Sequence, residues 1–253
     1  MVEVPAEVAR ICTRYLRVAD REAPGLVEGL YLHGSVALGD YRRGRSDIDF
    51  VAVTAWPAHI DDLRAIHRAL RRRARRPFFD GIYLGRHALR RDPRRLPAGP
   101  AVHEWRVNGS SRFERSLVTW HLLAQAGVTV RGPAVAELGI HTDWPGLAEA
   151  TRRNLDEYWA PWLDRRARGP VGLSSWAATW GVLGVARLRH TLAAGRITSK
   201  TDAAGYALAT YDPRWHRIIE EALRIRVGGA PRYRNPCRRR TDLIGFVAEA
   251  LRG

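Results

Sequence analysis

The sequence predicts an α/β (α+β) N-terminal domain with a small mixed sheet, followed by an all-α helical-bundle C-terminal domain. Three observations carry that expectation. Short apolar runs near 27–33, 48–54 and 78–84 fit buried strands, with a helical pattern between the last two. From Leu147 onward, apolar residues recur at three-to-four spacing. Gly169-Pro170, Gly195 and Gly228-Gly229 punctuate that second stretch. The boundary falls near residue 145, after the His141 to Pro145 turn, giving domains 1–145 and 146–253.

Taken in order, Val4 to Ala19 reads as an amphipathic helix, and Leu26 to Leu32 (LVEGLYL) as a strand that runs into Gly34-Ser35. Glycine there lets the backbone turn and approach a ligand closely. Ser35 opens a short helix that Gly39-Asp40 closes, Tyr41 to Arg45 form a basic turn, and a strand resumes after Ser46. Ile60 to Arg75 is the helix before the third strand, and the Pro- and Arg-rich segment Arg90 to Pro100 is expected to be an irregular loop. The second domain is read as helices at Leu147 to Arg166, Ser174 to Ala194, Thr201 to Thr210, Pro213 to Arg226 and Arg240 to Leu251.

The segment Leu32 to Val53 (LHGSVALGDYRRGRSDIDFVAV) concentrates the chemistry. A strand that ends in Gly-Ser and feeds a helix presents unpaired N–H groups, a seat for phosphate oxygens. Side chains alternate along a strand, so Asp47 and Asp49 share one face while Ile48 and Phe50 take the other. Two carboxylates so close repel unless a cation joins them, and all-oxygen ligation suits a Mg²⁺ ion that also holds substrate phosphates.

HGSVALGD followed by RSDIDFVAV resembles the nucleotidyltransferase superfamily related to DNA polymerase β. Later segments resemble the aminoglycoside (3″)-type, streptomycin/spectinomycin, adenylyltransferases: HEW at His103 to Trp105, VRGPA at Val130 to Ala134 and GRITSK at Gly195 to Lys200. The resemblance implies a catalytic N-terminal nucleotidyltransferase domain and a helical substrate-binding domain. It further implies transfer of AMP from ATP to a hydroxyl of an aminoglycoside- or aminocyclitol-like molecule, with release of pyrophosphate. One or two Mg²⁺ ions would be held by Asp47, Asp49 and a third carboxylate, for which Asp80 in PFFDGIYL is the candidate. Asp80 or Glu104 would serve as general base, Gly34, Ser35 and Ser46 would bind the nucleotide, and Glu104 and Trp105 would meet the acceptor. Arg187 and Lys200 match family residues that reach the nucleotide. The chain departs from the streptomycin pattern at Ala177, where that branch has an acid. Trp159, Trp162, Trp176 and Trp180 offer stacking surfaces, with core packing as their ordinary use.

Composition bounds the reading. A chain of 253 residues with 45% hydrophobic content can bury two modest cores. No segment reads as a signal peptide or approaches the roughly 20 apolar residues that span a bilayer, and Cys12 and Cys237 suggest neither a disulfide framework nor a zinc site. A cytoplasmic location without membrane association is expected. The formal charge is +16, yet of the 42 basic residues only Lys200 is lysine, a bias that points to GC-rich coding rather than to a nucleic-acid partner. The runs Arg71 to Arg76 and Arg238 to Arg240 could dock an acidic protein, so a protein-modifying adenylyltransferase is the alternative, with a non-catalytic nucleotide-binding protein a further one. A lone lysine in GRITSK suits phosphate contact by a compact ammonium.

Overall fold

The computed structural model describes residues 3–72 and 76–253 and divides into two compact units, Met1–Asp143 and Trp144–Gly253. The expected helix end at Arg75 and the middle of the Arg71 to Arg76 run lie outside the described residues.

Unit 1 contains helices α1 (Ala6–Glu22), α2 (Gly34–Ala37), α3 (Ile60–Arg71), α4 (Arg86–Leu89) and α5 (Leu117–Ala126). Its strands are β1 (Val27–Leu32), β2 (Ile48–Thr54), β3 (Phe79–Leu84), β4 (Gly99–His103), β5 (Arg106–Ser111) and β6 (Val128–Arg131). They form one mixed sheet in the order β5-β4-β3-β2-β1-β6, in which only the β2–β3 pair is parallel among the described residues. Both faces are covered. Leu30, Leu32, Ile48, Phe50 and Ala52 pack with α1 and α3 residues such as Tyr15, Leu63 and Ile66. Tyr31, Val51, Val53, Ile82 and Leu84 pack on the other face with Leu89, Trp120 and Leu123. The alternation along β2 therefore puts Asp49 on the face of Val51 and Val53, at the strand's start.

The Arg90 to Pro100 segment is more ordered than its composition suggests. Asp92 accepts the Arg94 N–H at 2.9 Å and caps a 3₁₀ turn at Pro93–Arg95, and β4 begins at Gly99. Strands β4, β5 and β6 carry little sequence signal: β5 is a mostly exposed edge, and edge strands need no apolar alternation.

Unit 2 is helical, with α6 (Trp144–Asn154), α7 (Ala160–Trp162), α8 (Ser175–Ala194), α9 (Lys200–Thr210), α10 (His216–Val227) and α11 (Pro236–Arg252). The expected continuous helix from Leu147 to Arg166 is interrupted by π-helical turns at Leu155–Trp159 and Leu163–Ala167. Pro161 supplies a reason, since it has no N–H to give the carbonyl four residues back. Trp159, Trp162, Val182, Leu183, Ile218 and Phe246 belong to the core of this unit. Among the described residues no helix is long and apolar enough to cross a membrane.

Candidate active site

The Gly-Ser turn and the carboxylate strand meet in unit 1. The His33 N–H donates to the Asp49 carbonyl at 3.0 Å, fastening the end of β1 to the start of β2. Gly34 follows with φ +63°, and a Cβ built there would lie 1.9 Å from Asp49 Oδ2. Only glycine leaves room for that carboxylate and adopts that backbone without strain. The first-turn N–H groups of Gly34, Ser35 and Val36 have no acceptor inside α2. A four-residue helix has little macrodipole, so what this turn can offer an anion is these N–H groups rather than the helix.

The third carboxylate arrives by register. In the parallel β2–β3 pair Asp49 lies opposite Asp80, so the two share a face at neighbouring positions, roughly 5 Å apart at the backbone. Gly81 is required next to Asp80 because a Cβ there would sit 2.0 Å from the Phe50 carbonyl oxygen. Asp80 is 4% exposed and accepts two hydrogen bonds, from the Glu104 N–H at 2.9 Å and from His103 Nδ1 at 3.0 Å in the tautomer protonated there. Burial outweighs these bonds and pushes its pKa up to about 6, with the Asp47 charge adding to the rise.

Asp47 is more open. Arg76 Nη1 lies 3.4 Å from its Oδ1, while the same guanidinium lies over the Phe78 ring, 3.7 Å from the centroid. Burial raises the Asp47 pKa, the Arg76 and His103 charges oppose the rise, and the Glu104 charge reinforces it. Asp47, Asp80, Glu104 and His103 thus sense one another electrostatically. Among the described residues no three acidic, His or Cys side chains already close on a common point as a metal cage. Asp47 is instead paired with Arg76 and Asp80 with His103.

Glu104 and Trp105 are the two residues of the β4–β5 turn, His103 pairing with Arg106 across it, and both have positive φ, +47° and +65°. Such turns ordinarily take Asn-Gly, so two non-glycine residues here store strain of order 1 kcal/mol each. The turn aims the Glu104 N–H at Asp80 and leaves the Glu104 side chain exposed. Trp105 is 9% exposed and packs edge-on to Phe78 at 6.4 Å between ring centroids. Its position is that of a core residue supporting the turn; little of the ring remains to stack on an acceptor as the sequence suggested. Ser46 is likewise engaged: its Oγ accepts the Arg42 N–H at 2.9 Å, closing the basic loop.

Sequence reasoning passed over His103 and Arg76 as site residues. His103 opens the HEW triplet, which was its only signal; its bond to Asp80 depends on strand pairing 23 residues apart. Arg76 was visible only as one arginine in a run.

In unit 2, Lys200 opens α9, next to the N-cap Ser199, and its Nζ lies 5.4 Å from the Trp180 ring centroid. Trp180 stacks on the half-exposed Trp176 at 5.7 Å. Arg187 lies midway along α8.

With this geometry in view, comparison with known proteins is specific. Residues 13–80, from α1 through Asp80, match the nucleotidyltransferase domain family, which sets the class: the chain is a nucleotidyltransferase. Residues 172–248 match the aminoglycoside adenylyltransferase C-terminal domain. The chain is accordingly an aminoglycoside adenylyltransferase-like nucleotidyltransferase. Its fold is similar to that of spectinomycin adenyltransferase AAD(9) from Enterococcus faecialis, solved with ATP and spectinomycin, at TM-score 0.73 and 13% identity, over 96% of this chain and 99% of that one. A search of curated proteins finds no match.

Proposed function

We propose that this enzyme transfers AMP from ATP to a hydroxyl of an aminoglycoside- or aminocyclitol-like small molecule in the cytoplasm, releasing pyrophosphate. The observation that carries the proposal is the placement of Asp49 against Gly34 and in register with Asp80. It joins a turn of unpaired N–H groups to a cluster of carboxylates, an all-oxygen donor set that fits one or two Mg²⁺ ions. Asp47, Asp49 and Asp80 would hold the metal, and Arg76 marks where positive charge is already favourable. When bound, such an ion neutralises triphosphate charge and stabilises the departing pyrophosphate.

The remaining roles belong to the protein. The N–H groups of Gly34 and Ser35 bind outer phosphate oxygens. Ser46 holds the loop before β2 in shape. The acceptor oxygen bonds to the α-phosphorus, the bond from that phosphorus to the bridging oxygen breaks, and the hydroxyl proton passes to a base. Both Asp80 oxygens already accept hydrogen bonds, whereas the Glu104 carboxylate is exposed beside Asp47 and Asp80, so we assign the base to Glu104. Such a base is worth typically ~10²–10⁴-fold in rate.

The test is pyrophosphate release by purified protein with Mg²⁺, each NTP and a panel of aminocyclitol antibiotics, with Asp49→Ala as blank. Release that needs ATP and one antibiotic, and vanishes in the blank, is expected. ATP binding with no stimulation by any antibiotic overturns the small-molecule acceptor.

A further inference from the structure

A cavity lies at the end of the same sheet opposite the carboxylates. It has a volume of about 660 Å³ and is walled by residues that follow β2 and β3, including Trp56, Arg86, Arg91 and Leu96, together with Pro100 of β4 and Arg115 between β5 and α5. Thr54 and Leu84, the last residues of those strands, also line it. They stand five and four residues beyond Asp49 and Asp80, or roughly 13–17 Å along the strands, so the cavity is separate from the carboxylate cluster.

Its most informative wall is Arg115. This side chain is 8% exposed, and its Nε is buried without a hydrogen-bond partner. Nη2 donates to two backbone carbonyls, of Tyr83 at 3.0 Å and of Pro100 at 3.4 Å. These acceptors are neutral, so they orient the guanidinium without cancelling its charge, and burial pushes its pKa down. Gly99 makes room for it: a Cβ there would lie 2.5 Å from Nη2. Arg86 and Arg91 add exposed cations, against Glu28 as the one acid among the described lining residues. Trp56, nearly half exposed, and Leu96 give the cavity an apolar side. A buried, uncompensated cation in a concave wall, with an apolar surface beside it, is a site that a small anion completes.

We propose that this cavity binds a small organic anion, a carboxylate or a phosphate ester carried on an apolar body, at a site distinct from nucleotide transfer. Amide shifts of the isotopically labelled full chain are followed by NMR during titration with phenylacetate, with phenyl phosphate, and with neutral phenylacetamide. Shifts at 54–58, 84–88 and 96–100 are expected for at least one anion, and which anion binds more tightly identifies the headgroup. Phenylacetamide should bind at least about tenfold more weakly, and Arg91→Ala and Trp56→Ala should each lower anion affinity several-fold in a folded protein. Equal binding of the neutral amide, shifts centred on Ser35 and Asp49 instead, or no saturation by either anion at millimolar concentration overturns the proposal.

Discussion

At the scale of single residues, Gly34 decides whether the site exists. It must adopt φ +63° and leave space for the Asp49 carboxylate. Gly34→Ala is therefore expected to cost ~1–2 kcal/mol of stability and, by displacing Asp49, to lower kcat/KM by ~10²-fold or more. Thermal melting together with pyrophosphate release checks this, and an active, equally stable variant contradicts it. Asp80 presents the opposite case, a group whose charge the fold tolerates poorly. Its pKa rises in the folded protein to about 6, so as pH climbs from about 4 to 6 the unfolded chain has already lost a proton that the folded one keeps. Stability contributed by the protonated group is lost across that window. In chelator-treated protein, Asp80→Asn should thus be more stable than wild type by ~1–3 kcal/mol above pH 6, with the gain vanishing below pH 4, while transferase activity is abolished. Denaturant melts at pH 4 and 8 decide it; a variant less stable at pH 8 would show the carboxylate to be structural.

At the scale of elements, the two halves of the chain solve packing differently. In unit 1 the β4–β5 turn is strained at Glu104 and Trp105 and is held by Trp105 packed against Phe78 and by the Glu104 N–H on Asp80. In unit 2 helix α8 is kept thin by glycine so that indoles can lie on it: a Cβ at Gly184 would meet Trp159 at 2.4 Å, and one at Gly181 would meet Trp162 at 2.7 Å. Two effects compete in Gly184→Ala. Helix propensity favours alanine by up to ~1 kcal/mol, while overpacking a rigid ring costs ~1–3 kcal/mol. The clash should win, giving net destabilisation, because a ring flanked by Trp162 and Trp180 has nowhere to move. Denaturant unfolding followed by tryptophan fluorescence measures this, and a stabilised variant would mean the indole can shift.

At the scale of the whole molecule, an acidic site sits in a chain of formal charge +16. On the proposed reading, the global field favours ATP and opposes a polycationic acceptor, whereas the exposed Glu104 carboxylate, which lies outside the proposed metal ligands, supplies local negative charge that such an acceptor needs. Salt screens long-range terms within about 10 Å at 0.1 M and affects partly buried contacts less. Raising ionic strength from about 20 to 200 mM should therefore raise KM for ATP and lower KM for a polycationic acceptor. Steady-state kinetics at several salt concentrations tests both signs; parallel changes would show that one local potential governs both substrates.

Much of this protein was legible in its residues alone. Leu26 to Leu32, Ile48 to Thr54 and Phe79 to Leu84 are mostly apolar runs, and the second half carries helical periodicity, because buried strands and core-facing helices must be apolar at fixed spacing. Gly34, Ser35, Asp47 and Asp49 were legible as a constellation because the turn and the alternate-residue strand lie close in sequence. The edge strands β5 and β6 were not, since they are short and only partly buried. Nor could the sequence show that Asp80 faces Asp49, that His103 and the Glu104 N–H hold Asp80, or that Trp105 is buried. These are matters of register between strands and of a turn's backbone dihedrals. A one-residue slip would turn Asp80 to the other face with the same composition, and only the assembled sheet excludes it.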